Sequence, residues 1–135
     1  MEPLTIKRPS KYTHATLGFE LLQASTKVHL NHLLIEGSGS FAAHKAMNEF
    51  YDSIASLADD FIEQYQGASE ELMIFPTTAT FPIMETGKDC LVYIKGLYDM
   101  VNIIQVDCPY SEIKNTLDEI KSLINSTKYK LLFLK

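Results

Sequence analysis

Tryptophan is absent from the sequence, arginine occurs once, at Arg8, and cysteine only at Cys90 and Cys108. A single arginine excludes recognition built on several bidentate guanidinium forks. Two cysteines do not make a disulfide framework. If residues 89–105 are helical, a rise of about 1.5 Å per residue sets the two thiols roughly 27 Å apart, beyond disulfide reach. Reduced thiols point to a reducing compartment. No apolar run approaches the roughly 18 residues of a membrane span, and the opening MEPLTIKRPSKYTHA lacks the apolar core of a signal peptide. There is no Gly-rich phosphate loop, CxxC, HExxH or nucleophile elbow. Positive charge is also short, with 12 Lys and Arg against 17 Asp and Glu, which excludes a protein whose whole surface tracks nucleic acid. The expectation is an intracellular, cytoplasmic protein with no membrane partner.

What remains is enough for one domain: 135 residues, 46% of them hydrophobic, can bury a real core. Residues 1–12, with Pro3, Pro9, Lys7, Arg8 and Lys11, read as an N-terminal arm, and residues 13–135 as the folded body. A first helix is predicted over 13–36, with Leu17, Leu21, Ser25, Val28, His32 and Ile35 on one stripe. Gly37-Ser38-Gly39 ends it, and Ser40 is placed to cap a second helix that stops at Gly67. On that helix Met47, Phe50, Tyr51, Ile54, Ala55, Leu57, Ala58, Phe61, Ile62 and Tyr65 form an apolar arc of about 160°, wider than one bundle requires. The expectation is a second copy against it.

Pro76 and Pro82 exclude one continuous helix over 67–86. Such a segment, extended, can run back along the bundle, packed down by Leu72, Ile74, Phe75, Phe81 and Ile83, with room for a short helix. Helices are predicted again over 88–105 (Leu91, Ile94, Tyr98, Val101) and 110–133 (Ile113, Leu117, Ile120, Ile124, continuing towards Leu131). Short first and last connections with a long middle one describe an all-α, ferritin-like four-helix bundle with a long crossover between helices 2 and 3.

One constellation carries chemistry. His44 and Asn48 lie one helical turn apart, as do Asp59 and Glu63. Asp59 follows His44 by close to four whole turns, so the four share one side of the helix, and His32 faces inward across the glycine turn. Imidazole and carboxylate together suit iron, zinc or manganese, and a site between helices holds them rigidly. His29, three residues before His32, offers a further local histidine pair.

These residues carry a resemblance. Residues 32–67, HLLIEGSGSFAAHKAMNEFYDSIASLADDFIEQYQG, resemble the ferroxidase segment of the Dps mini-ferritins: His, a turn containing Gly, Phe and a second His, Asp four residues on, then Asp and Glu at the end of the same helix. His32, His44, Asn48, Asp59 and Glu63 fall on those positions, with Gly37 and Phe41 also matching. The resemblance implies a homo-oligomer, a dimer or a larger closed shell that is commonly of twelve subunits. The histidines and first Asp come from one subunit, and the second Asp and Glu from its two-fold mate. Iron(II) binds there and is oxidised, typically with peroxide, which is ferroxidase activity. The sequence departs from the pattern at Asn48, which replaces an Asp and removes an anionic ligand, and at Leu33, where Trp is usual.

The chain also resembles, more loosely, short ferritin-like proteins of tailed phages, which implies a second reading. In it the chain is a non-enzymatic structural or assembly protein, virion association included, with a degenerate metal site. Lys7, Arg8 and Lys11 at one end and Lys128, Lys130 and Lys135 at the other also permit DNA contact if many subunits display them together.

Overall fold

The computed structural model describes residues 13–134, and the predicted arm and Lys135 lie outside the described residues. Four helices make up the fold: α1 (His14–Leu34), α2 (Ser40–Ser69), α3 (Gly87–Asp107) and α4 (Ser111–Phe133). No strand occurs among the described residues. The fold is all-α, as expected. α1 packs along α2, α2 along α4 and α3 along α4, while α2 and α3 touch least.

α1 begins with a capping box: Thr13 accepts from the Thr16 amide while the Thr16 hydroxyl accepts from Thr13 N–H. α3 uses Thr86 and Asp89 in the same way. α2 does not start on a Ser40 cap. Gly39 takes the capping position in the left-handed region at φ 82°, which a Cβ would disfavour, and Ser40 is the first helical residue. α2 also runs through Gly67 to Ser69, and Glu70, at φ 58°, ends it. An exposed glycine costs a helix only about 1 kcal/mol, too little to stop one held on both sides by neighbours.

The core is one cluster. Leu17, Leu21, Ala24 and Val28 from α1 meet Met47, Phe50, Ile54, Ala58 and Phe61 from α2, with Ile113, Leu117, Ile120 and Ile124 from α4. α3 contributes Cys90, Ile94, Leu97, Val101 and Ile104, a stripe turned from the predicted one, with Leu91 and Tyr98 only half-buried. Both cysteines are buried and reduced, and burial pushes the Cys90 thiol up to about 12.

The connection from residue 70 to residue 86 holds no helix. Its anchors are Met73 and Met84, which are buried, with Phe75 half-buried, whereas Leu72, Ile74, Phe81 and Ile83 stay exposed. Gln66 accepts from the Met73 amide at 2.8 Å and fixes where the chain leaves α2. The expected packing by five apolar residues is therefore corrected: of the five only Phe75 packs against the core, and two methionines, whose flexible side chains fit an irregular gap, hold the rest.

The apolar arc of α2 is largely covered within one chain. Six of its members are buried, Tyr51, Leu57 and Tyr65 are half-buried, and only Ala55 is exposed. Its breadth reflects contact with both α1 and α4 and does not by itself call for a second copy.

Candidate metal centre

α1 and α2 run side by side from the glycine turn, and the turn brings the last α1 residues against the first turns of α2. The ring of His32 lies over that of His44, centroids 3.5 Å apart and planes tilted by 35°. His29, one turn earlier on α1, stacks on Tyr51 at 4.3 Å and stands edge-on to His32 at 5.9 Å. Tyr51 in turn meets His32 edge-on at 5.2 Å. The backbone beneath is tied across the helices, since the Ser25 hydroxyl donates to the Tyr51 carbonyl at 2.9 Å.

His32 is 7% exposed, and both of its ring nitrogens are buried without a hydrogen-bond partner. That arrangement costs free energy, because a buried imidazole ordinarily satisfies at least one nitrogen. Burial holds its pKa below the ordinary histidine value; His44 and His29 add to the effect and Asp52 opposes it. That direction favours the uncharged ring, the form in which imidazole binds a metal.

Asn48 lies one turn after His44 on α2 and is half-buried. Its Oδ1 accepts from the Tyr51 hydroxyl at 2.5 Å, and its Nδ2 donates to Asp52 at 3.3 Å. The amide oxygen expected to face a cation already holds a phenol. Asp59 and Glu63 are exposed on the same outer line of α2 as His44, and 15 residues from His44 to Asp59 amount to about 22 Å of helix. One chain thus assembles His32, His44 and Asn48 and keeps Asp59 and Glu63 apart from them. Among the described residues no three His, Cys, Asp or Glu side chains are gathered into a metal-binding group.

Sequence reasoning placed His32 inward and gave little weight to His29 and Tyr51. The signal was helical spacing: His29 lies three residues from His32, and Tyr51 three from Asn48. The charges assigned to DNA contact fare differently. Lys7, Arg8, Lys11 and Lys135 lie outside the described residues, and Lys130 is paired with Glu49 across α2 and α4. That ion pair holds the Glu49 carboxyl below its usual value.

Fold and cluster define an all-α four-helix protein with a histidine-rich contact between its first two helices. It belongs to DUF5856, a family of unknown function whose pattern matches residues 36–131. That match takes in α2, the connection, α3 and most of α4, and leaves His29 and His32 outside it. No curated protein and no solved structure matches the chain. No helix among the described residues is long and apolar enough to cross a membrane.

Proposed function

We propose that this chain is a ferritin-like protein of the Dps kind, which binds iron(II) and oxidises it at a site shared between two copies. The observation that carries the reading is His32 over His44 at 3.5 Å, the His32 nitrogens buried and unpartnered. Asp59 and Glu63 are exposed farther along the same face. An antiparallel copy that carries Asp59 and Glu63 to His44 has its two-fold axis midway along α2, close to Tyr51–Ala55. Ala55 is small and exposed there, which permits two helices to approach closely. Carboxylates from one copy and imidazoles from the other then supply the mixed donor set that iron favours; zinc or manganese suits the same ligands. Iron is the substrate: each of two iron(II) ions gives one electron to hydrogen peroxide and becomes iron(III), and as the O–O bond breaks its two oxygens leave as hydroxide.

Anaerobic iron(II) titration followed by a peroxide pulse tests the reading. Binding and oxidation are expected in the wild type, and both should vanish in Asp59→Ala and in His44→Ala. No iron bound at millimolar concentration overturns the assignment. The rival reading is a structural or assembly protein, in or outside a virion. It expects neither binding nor turnover.

A further inference from the structure

The three histidines where α1 meets α2 make a group of their own. His32 is the fixed member, with 7% exposure and two buried ring nitrogens that bond to nothing in the protein. His44 lies against it at 3.5 Å and His29 at 5.9 Å, and both of these flank it from exposed positions where their rings can turn. Two imidazoles that share a tetrahedral ion through nitrogens at about 2.0–2.1 Å hold their ring centres roughly 5 Å apart. The observed separations fall on either side of that value, one short and one long. Moving each exposed ring by about 1–1.5 Å closes the difference without a backbone change, a shift within side-chain rotamer freedom. As the rings stand, no such group is gathered among the described residues, and the two exposed rings are the ones that must turn to close it.

We infer that His29, His32 and His44 bind one borderline-soft divalent cation of the zinc, cobalt(II), nickel or copper(II) class within a single chain. Three imidazole nitrogens select such ions over magnesium, calcium or manganese, which prefer carboxylate and carbonyl oxygen. Binding gives a buried, unsatisfied His32 nitrogen the partner it lacks. The remaining coordination position is left to water. The site goes beyond the iron reading: it shares His32 and His44 with it, adds His29, and needs neither Asp59, Glu63 nor a second copy.

Cobalt(II) alone is the probe, because its visible d–d absorption reports tetrahedral nitrogen ligation directly. Titration of the full chain in the absence of iron and peroxide should give an intense band saturating at one ion per chain, which zinc(II) then displaces. His29→Gln should weaken binding about tenfold or more, as loss of a ligand exceeds the effect of losing a supporting group. His29→Ala is the second variant, and far-UV circular dichroism confirms that each is folded. The double variant Asp59→Ala/Glu63→Ala should bind cobalt(II) like the wild type. The inference is overturned by the absence of a band at millimolar cobalt(II), by folded His29 variants that bind as the wild type does, or by loss of the band in the Asp59/Glu63 double variant. Iron oxidation that depends on Asp59 while cobalt(II) binding ignores His29 would defeat this inference and leave the iron reading in place. Cobalt(II) binding that depends on His29, with no iron oxidation, would do the reverse.

Discussion

At the scale of single residues, Asn48 is where the chemistry of the site is most open to change. Its amide bridges the Tyr51 hydroxyl and the Asp52 carboxylate, accepting from one at 2.5 Å and donating to the other at 3.3 Å. Asn48→Asp keeps the acceptor for Tyr51 and makes that bond charge-assisted. It also removes the donor to Asp52 and sets two carboxylates one turn apart, a like-charge pair costing about 0.5 kcal/mol or less on an exposed helix. Against this small loss stands a full negative charge added beside His32 and His44. The variant should therefore bind iron(II) several-fold more tightly, with a slightly lowered melting temperature. Equal iron affinity in calorimetric titrations of the two proteins would show that position 48 does not face the cation.

At the scale of the helices, two glycines make opposite forecasts. A Cβ on Gly18 would sit 2.8 Å from Ile62 Cγ1, where α1 and α2 press together. Overpacking of this kind costs about 1–3 kcal/mol, while replacing glycine in a helix gains at most about 1 kcal/mol. Gly18→Ala should lower stability in urea unfolding. Gly67 meets nothing within 4 Å and lies inside α2. Gly67→Ala should therefore raise stability by about 0.5–1 kcal/mol; a loss would mean that position needs a backbone only glycine adopts. The start of α3 adds a pH dependence. Asp89 accepts from the amides of Glu85 and Thr86, and these bonds hold its carboxyl below the usual value. Its folded-state pKa is depressed, so its contribution is complete above the ordinary carboxylate range and is lost as pH falls through the folded value. Asp89→Asn should weaken the fold at neutral pH and leave a smaller difference in acid, read from thermal melts across that range.

The helices themselves were legible because apolar residues recur every three to four positions; their ends were less so. Gly67 reads as a stop and is not one, because packing on both sides of α2 outweighs a local propensity. Met73 and Met84 escaped notice since an irregular segment has no period to read. Lys27 is buried, with Glu20 at 2.8 Å and the faces of Phe81 and Tyr93 within 5.5 Å. Tyr93 donates to that same Glu20 oxygen from 73 residues away, a pairing that only the tertiary fold creates. His32 was legible because it continues the buried stripe of Leu21 and Val28. The contact of His29 with Tyr51 was not, because it depends on how far α1 turns relative to α2.

At the scale of the whole molecule, the question is whether the α1–α2 face is an outside surface or the inside of an assembly. Leu22, Leu30 and Leu33 of α1 are exposed, Leu33 by 64%, as is Ala55 of α2. The connection is also apolar and exposed, with Leu72 at 83%, so exposure alone does not separate an interface from ordinary surface. The iron reading does separate them, since it requires a copy that crosses near Ala55, where a long side chain would hold two α2 helices apart. Ala55→Arg should then convert the protein to monomers in light scattering at micromolar concentration and abolish peroxide-driven iron oxidation in the same step. Leu72→Arg, equally drastic in chemistry but far from the proposed axis, should change neither. An Ala55→Arg protein that keeps the wild-type mass and iron oxidation would exclude a two-fold axis at this face. A wild-type protein that is already monomeric would leave Asp59 about 22 Å and Glu63 about 28 Å along the helix from His44, which they are proposed to serve.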